Sequence, residues 1–212
     1  MHVMNSGDGP DDEWMRRHSA PENEAPVAVP VSAVLARTDT AAVMLSGVQV
    51  HTTGVSFTLG LRCRPEALDR FEDRSIGGLL WRHGRRGEQL LFGVELADGR
   101  RASNASGEGD PFGQLGGPEG LVLNSGGGGG GQLAADQTWW MSPLPPAGPL
   151  RLVVRCDLLG IPDTVTELDG AAIRAAADRV VTLWPWVSPA DAEPAMPPPG
   201  PDVPPDSWFA RA

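Results

Sequence analysis

Apolar and polar side chains alternate from Val55 to Cys63, and this pattern limits the fold more than any other feature of the sequence. A β-strand points successive side chains to opposite faces, so a period of two predicts a strand with one buried face. The same alternation returns from Leu90 to Leu96 and from Leu150 to Cys156. The chain is therefore expected to form antiparallel sheets, each with one dry face.

Turn signals join these strands into hairpins. His51 to Gly54 is a short polar connection between a strand expected over Ala41–Val50 and the alternating segment that follows. Asp98-Gly99 is a dipeptide that tolerates the positive φ angles of a type I′ turn, and it predicts a second hairpin. Pro30 marks the first strand, Pro26 to Arg37, as an edge strand or an interrupted one.

One short helix follows the last strand of the β pattern. Further strands are expected over residues 119–124, 132–142 and 160–168, after which Asp169 is a good N-cap for a helix near residues 170–179. About 7–9 strands with one helix predict an all-β fold, an antiparallel β-sandwich. A jelly roll or an open barrel is the alternative, because spacing along the chain does not give strand order.

Composition divides the chain into a central domain with acidic ends. Residues 1–25 contain six acidic residues and two arginines, with little apolar surface to bury, and are expected to be disordered. Residues 26–186 are the expected β-sandwich domain, and residues 187–212 are a proline-rich acidic tail that contains Trp208-Phe209. The net charge of −10 and the lack of a basic stripe argue against nucleic-acid binding.

The two cysteines, Cys63 and Cys156, are expected to be reduced thiols in the cytoplasm. No apolar run approaches the roughly 20 residues of a membrane helix. The polar start of the chain lacks the charged end and apolar centre of a secretory signal. Neither a C-x-x-C nor an H-E-x-x-H spacing indicates a metal site, and no cofactor is expected.

Six consecutive glycines, Gly126 to Gly131, match a phosphate-binding loop only in composition. Such a loop needs a strand before it and a helix after it, whereas residues 132–142 have a strand pattern and the chain contains no lysine. The run is predicted to be a flexible or specially turned connection between two strands. Close approach of another backbone is the alternative.

The aromatic and basic residues supply the candidate contacts. Trp140 is expected on the exposed face of its strand, opposite the buried Trp139, whereas Trp184 and Trp186 are expected to pack against the domain. The full candidate set adds a basic loop and the end of the tail: Trp140, Arg82, His83, Arg85, Arg86, Trp208 and Phe209.

These candidates predict a non-catalytic protein-binding β-sandwich module that binds a protein partner or self-associates, with no nucleic-acid or membrane partner. A domain that binds a small ligand or carbohydrate is the second hypothesis. The chain has no G-x-S-x-G elbow and no enzyme is expected. The third hypothesis is a hydrolase that uses His51 or His83 with nearby carboxylates.

Several short segments of the sequence carry a resemblance to known proteins. They are Leu35-Ala36-Arg37-Thr38-Asp39, Phe92-Gly93-Val94, Ala97-Asp98-Gly99-Arg100, the glycine run before Trp139-Trp140, Pro143 to Leu150, Leu159-Gly160-Ile161-Pro162 and Leu183-Trp184-Pro185. These segments resemble an uncharacterised family of small β-rich actinobacterial proteins. The resemblance covers roughly residues 30–186, and it implies one compact domain with dispensable ends and no known activity.

Overall fold

The structure is a computed structural model that describes residues 12–71, 75–80, 89–105 and 120–187. Twelve strands and two α-helices lie in these ranges. In chain order they are α1 (Asp12–His18), β1 (Glu24–Ala25), β2 (Val27–Ala28), β3 (Ala33–Arg37), β4 (Ala41–Val50), β5 (Val55–Cys63), β6 (Leu91–Glu95), β7 (Arg101–Ser103), β8 (Val122–Gly130), β9 (Ala134–Ser142), β10 (Pro149–Cys156), β11 (Ile161–Asp169), α2 (Gly170–Ala176) and β12 (Val181–Thr182). Short 3₁₀ turns lie at Pro65–Arg70, Gly77–Leu79, Asp157–Leu159 and Ala177–Arg179.

Two antiparallel sheets form the body of the domain. The larger has six strands in the order β2-β4-β5-β9-β8, with β3 pairing beside β2 on β4, and the smaller has the order β11-β10-β6-β7. A third, two-stranded sheet joins β1 to β12. The prediction of an all-β, sandwich-like antiparallel fold is confirmed.

The core lies between the inner faces of the two large sheets. Alternate residues of β5 and β9, among them Phe57 and Trp139, face the interior and are at most 5% exposed. Phe92 of β6 meets both rings edge-on, with centroids 5.8 Å from Phe57 and 5.1 Å from Trp139. These three rings connect the two sheets at the centre of the core.

The predicted hairpins and the predicted helix cap are confirmed, but the turn at Asp98-Gly99 is not of type I′, because Leu96 and Arg100 bond across a loop of residues 97–99. His51–Gly54 connects β4 to β5, and Gly99 has the positive φ of 87° that the turn between β6 and β7 requires. Pro30 interrupts the first strand, which is divided into β2 and β3. Asp169 caps α2 by accepting hydrogen bonds from the backbone N–H groups of Ala171 and Ala172, at 2.9 and 3.1 Å.

The prediction that residues 1–25 are disordered is wrong for residues 12–25, which contain α1 and β1. The part of this segment before residue 12 lies outside the described residues. The physical reason is that the few apolar and polar groups of this segment find partners on the domain. Trp140 donates its indole N–H to the carbonyl of Arg17, at 2.9 Å, and Asn124 donates to that of His18, also at 2.9 Å. The folded domain therefore begins before residue 26.

Replacing Phe92 by Ala is expected to lower the free energy of unfolding by about 3–5 kcal/mol, because the change removes contacts with both sheets and leaves a cavity. Urea unfolding followed by tryptophan fluorescence measures the loss. Val165→Ala is the control, since Val165 is 55% exposed and its truncation should cost less than about 0.5 kcal/mol. Equal losses in the two variants would contradict the central position of Phe92.

Candidate functional site

The glycine run forms most of an edge strand. Gly126–Gly130 belong to β8, and β8 is the last strand of the six-stranded sheet, paired to β9 on one side. All six glycines are exposed. The prediction of a connection between strands is therefore wrong, because the connection to β9 is only residues 131–133.

Backbone pairing explains why a strand forms without strand-forming side chains. Gly128, Gly129 and Gly130 lie opposite Gln137, Asp136 and Ala135 of β9, and Gly131 donates to the carbonyl of Ala134 at 2.7 Å. A bulge separates Ser125 from Gly128 in this ladder. The Thr138 hydroxyl donates to the carbonyl of Gly127 at 2.7 Å and satisfies that group beside the bulge.

Packing requires glycine at only some of these positions. A Cβ at Gly130 would lie 2.6 Å from the Ala134 carbonyl oxygen, and one at Gly126 would lie 2.7 Å from the Thr138 hydroxyl. A Cβ at Gly127, Gly129 or Gly131 would meet nothing within 4 Å, and none of the three has a positive φ. Neither packing nor backbone conformation explains the missing side chains at these three positions.

Two buried polar atoms next to this strand have no hydrogen-bond partner. They are the side-chain carbonyl oxygen of Gln137 and the indole nitrogen of Trp139, in residues that are 3% and 5% exposed. Gln137 lies between Leu59 of β5 and Gly128 of β8, so its neighbour on the edge side has no side chain to bond it. An unpaired buried acceptor costs about 1–3 kcal/mol of stability.

The prediction that Trp140 is an exposed contact residue is wrong with respect to exposure. Trp140 does point to the outer face, opposite Trp139, but it is only 6% exposed because α1 covers it. Its ring also packs over Gly54, where an added Cβ would come within 2.5 Å of the indole. Trp140 therefore fastens the N-terminal helix to the sheet.

The other predicted contact residues, Arg82, His83, Arg85, Arg86, Trp208 and Phe209, lie outside the described residues.

His51 is paired with a carboxylate that sequence reasoning did not identify. Its Nδ1 lies 3.6 Å from a carboxylate oxygen of Glu24 in β1, and both side chains are 7% exposed. Glu24 also accepts hydrogen bonds from the backbone N–H of Thr52, at 3.0 Å, and from the Thr52 hydroxyl. Burial lowers the pKa of His51, and the nearby Glu24 carboxylate offsets part of this effect.

Within the part of the chain that the structure describes, the hydroxyl bonded to Glu24 is already engaged. The Thr52 hydroxyl donates to Glu24, and the Ser142 hydroxyl donates to the carbonyl of Thr53 at 3.0 Å. The ring of His51 contacts the edge of Trp140, with centroids 5.5 Å apart. Glu24 therefore anchors β1 to the turn between β4 and β5 through its hydrogen bonds with Thr52, and this arrangement does not favour the hydrolase hypothesis.

A second surface that the sequence did not predict lies where α1 meets the end of the described chain. A groove of 250 Å³, the tryptophan groove, is lined by Met15, Arg16, Pro21, Trp184, Trp186 and Val187, together with Ser19, Ala20, Glu22 and Asn23. Trp184 is 57% exposed, so the prediction that it packs against the domain is wrong. The Arg16 guanidinium lies 4.1 Å from the centre of the Trp186 ring.

A wider groove of 420 Å³ lies over the smaller sheet, with Leu91, Gly93 and Val153 among its lining residues. Its charged side chains already form ion pairs, including Arg101 with Glu95 at 2.6 Å and Arg155 with Asp163 at 3.4 Å. Among the described residues of the lining, the only aromatic one is Phe92, which is 1% exposed and belongs to the core. This groove therefore offers no aromatic platform for a sugar ring.

The cysteines have unreactive surroundings. Cys156 is buried and Cys63 is partly exposed, and both are free thiols. Burial raises the pKa of each thiol, which disfavours the thiolate. Among the described residues, no group of three or more His, Cys, Asp or Glu side chains could hold a metal ion. None of the helices in these ranges is long and apolar enough to span a membrane.

No protein-family model, curated protein or solved structure matches this chain. The resemblance to the actinobacterial family remains a prediction, and any functional argument depends on the geometry described above.

Adding a methyl group should separate the two kinds of glycine in β8. Gly130→Ala is expected to lower the free energy of unfolding by about 1–3 kcal/mol, because the new Cβ collides with the backbone of β9. Gly129→Ala is expected to raise it by about 0.5 kcal/mol through the unfolded state, since its Cβ enters open space. Urea unfolding compares the two variants, and equal effects would contradict the register of β8 on β9.

His51 should make stability depend on pH in the range below its unfolded pKa of 6.5. Because its folded pKa is lower, the unfolded chain binds the proton first, and the free energy of unfolding falls as pH drops from 6.5 towards that folded value. Above pH 6.5 this loss is absent. Thermal unfolding at pH values from about 7.5 to about 5 measures how the free energy of unfolding changes with pH. His51→Gln should remove part of this pH dependence. An unchanged pH dependence in the variant would contradict the burial of a neutral imidazole.

Proposed function

We propose that this protein is a non-catalytic protein-binding module that binds an extended segment of a partner protein along the free edge of β8. The observation that carries the proposal is the exposed run of glycines on an edge strand, in which Gly127 and Gly129 have no packing or conformational reason to be glycine. Addition of a strand to an open sheet edge is a common mode of peptide recognition, in which main-chain hydrogen bonds supply much of the affinity.

The backbone groups needed for such pairing are available on β8. Gly131 and Ala134 form a hydrogen-bonded pair, and paired and unpaired positions alternate along an antiparallel ladder. Gly129 therefore bonds to β9, while Gly128 and Gly130 direct their N–H and C=O groups away from the sheet. An incoming strand can bond these groups without displacing any strand of the domain.

The edge also lacks the features that keep other edges unpaired. Edge strands are commonly protected by lysine, proline, inward-pointing charge or a bulge. From Gly128 to Gly130 there is no side chain at all, and the bulge of β8 lies before this stretch. A partner backbone can approach this edge without steric or charge repulsion from β8 side chains.

Gln137 indicates the chemistry of the partner. Its unpaired carbonyl oxygen lies on the inner face beside Gly128, where β8 offers no hydrogen-bond donor from a side chain. The preferred partner strand carries a donor side chain, such as Asn, Gln, Ser or Arg, at the inward-facing position next to Gly128. Bonding to this donor would remove the cost of a buried unpaired acceptor on complex formation. The cytoplasm is the compartment we propose for this interaction, because it suits a protein with two free thiols.

Selection of random peptides displayed on phage, with the full chain as bait, tests the proposal. Enriched peptides are expected to bind wild-type protein saturably in fluorescence anisotropy, and Gly129→Lys should weaken binding by about tenfold or more, since an edge lysine opposes pairing. The same peptides with alternate backbone amides methylated should lose binding, because they keep their side chains but cannot donate main-chain hydrogen bonds.

Val165→Lys is the matched control, because it adds the same charge to β11, an edge strand of the smaller sheet, at a residue that is 55% exposed. It should leave peptide affinity unchanged. The proposal is contradicted if no peptide is enriched, if amide methylation has no effect, or if the two lysine variants behave alike.

A further inference from the structure

We infer that the tryptophan groove binds the proline-rich segment Pro194–Asp206 of the same chain. This site is separate from the β8 edge, and neither inference depends on the other. The segment contains seven prolines, with three consecutive ones at Pro197–Pro199. Such sequences favour the polyproline II conformation, which aromatic-lined grooves recognise because little entropy is lost on binding.

The aromatic side chains of the groove are held in position while one remains open to a ligand. Asn23 donates its side-chain amide to the carbonyl of Trp184, at 2.9 Å, and the N–H of Leu183 donates to the carbonyl of Asn23, at 2.8 Å. The backbone of Trp184 is therefore fixed. Its side chain is 57% exposed and does not pack as a core tryptophan does. An exposed ring on a fixed backbone is a suitable surface for stacking a pyrrolidine ring.

Charge complementarity favours this occupant. Arg16 stacks on Trp186, and no described carboxylate lies within ion-pair distance of it. Residues 188–206 contain four acidic residues and no arginine or lysine, namely Asp191, Glu193, Asp202 and Asp206. Glu22 also lines the groove and would oppose these charges, so the acidic residues should approach from the Arg16 side.

The connection between groove and segment is short enough for binding within one molecule. Val187 lines the groove, and only residues 188–193 separate it from Pro194. Six residues span up to about 20 Å when extended, which is sufficient for the chain to turn back. Short connections also make loop closure inexpensive in entropy, so the attached segment has a high effective concentration at the groove.

Limited proteolysis of the full chain with an endopeptidase that cleaves before aspartate tests this inference, with cleavage between Ala190 and Asp191 as the readout. A protease needs several residues on each side of the cleaved bond in extended form, so binding of the adjacent prolines should slow this cleavage. Trp184→Ala, and separately the triple change Pro197→Ser, Pro198→Ser and Pro199→Ser, should each accelerate it by about tenfold, as the open population rises.

Leu183→Ala is the matched control, because Leu183 is 49% exposed, adjacent in sequence and absent from the lining of the groove. It should leave the rate of cleavage between Ala190 and Asp191 unchanged. Thermal unfolding should show that all variants remain folded. Equal cleavage rates in wild type, Trp184→Ala and the proline variant would overturn the inference. A wild-type rate that rises on dilution would also overturn it, because the occupant would then belong to a second copy.

Discussion

The structure depends on burial of one face of each large sheet against the other, which fixes the register of every long strand. A slip of one residue in β5 would turn Phe57, Leu59 and Leu61 outward and bring Thr58 and Arg62 into the core. Pairing of β5 with β9 in the observed register places Trp139 opposite Phe57, where both rings reach Phe92. Once Trp139 faces inward, its neighbour Trp140 must face outward.

An outward tryptophan in the middle of a sheet needs a cover, and the N-terminal segment supplies it. The indole of Trp140 bonds to the backbone of α1 and contacts His51, which in turn meets Glu24 of β1. The Glu24 carboxylate is nearly buried and has lost its contacts with water. The N–H and hydroxyl groups of Thr52 form hydrogen bonds to it in their place. Two parts of the N-terminal segment thus dock on one corner of the sheet, so residues 12–25 belong to the domain and are not a dispensable end.

The sequence was most informative where side-chain pattern and backbone agree. Alternation predicted β5, β6 and β10, because each has one buried and one exposed face, and Asp98-Gly99 predicted the turn after β6. The hairpin partner of β5 was also predicted, but its second partner, β9, could not be, because β9 is distant in sequence. Periodicity also placed Trp140 on the correct face, but it could not show that α1 covers this face.

The glycine strand shows why part of the candidate site was missed. Strand prediction depends on β-branched and aromatic side chains, and glycine is depleted in strands because it loses the most entropy on ordering. Gly126–Gly130 form a strand because β9 offers backbone groups beside them, in a ladder that is interrupted by one bulge. A run of glycines has no side-chain pattern from which such a pairing partner could be predicted. The exposed position of Trp184 could not be predicted either, because its backbone is held by Asn23, which is distant in sequence.

The cost of the glycine strand is itself an argument about its use. Each glycine within a strand is less favourable than alanine by about 0.5–1 kcal/mol, so Gly127 and Gly129 together cost about 1–2 kcal/mol. A side chain at Gly126 or Gly130 would collide with β9, whereas one at Gly127 or Gly129 would meet nothing in the isolated chain. A loss of this size is a substantial fraction of the 5–15 kcal/mol of net stability typical of a domain. An interaction made outside the chain, along the edge that these glycines leave bare, is the simplest physical compensation for it.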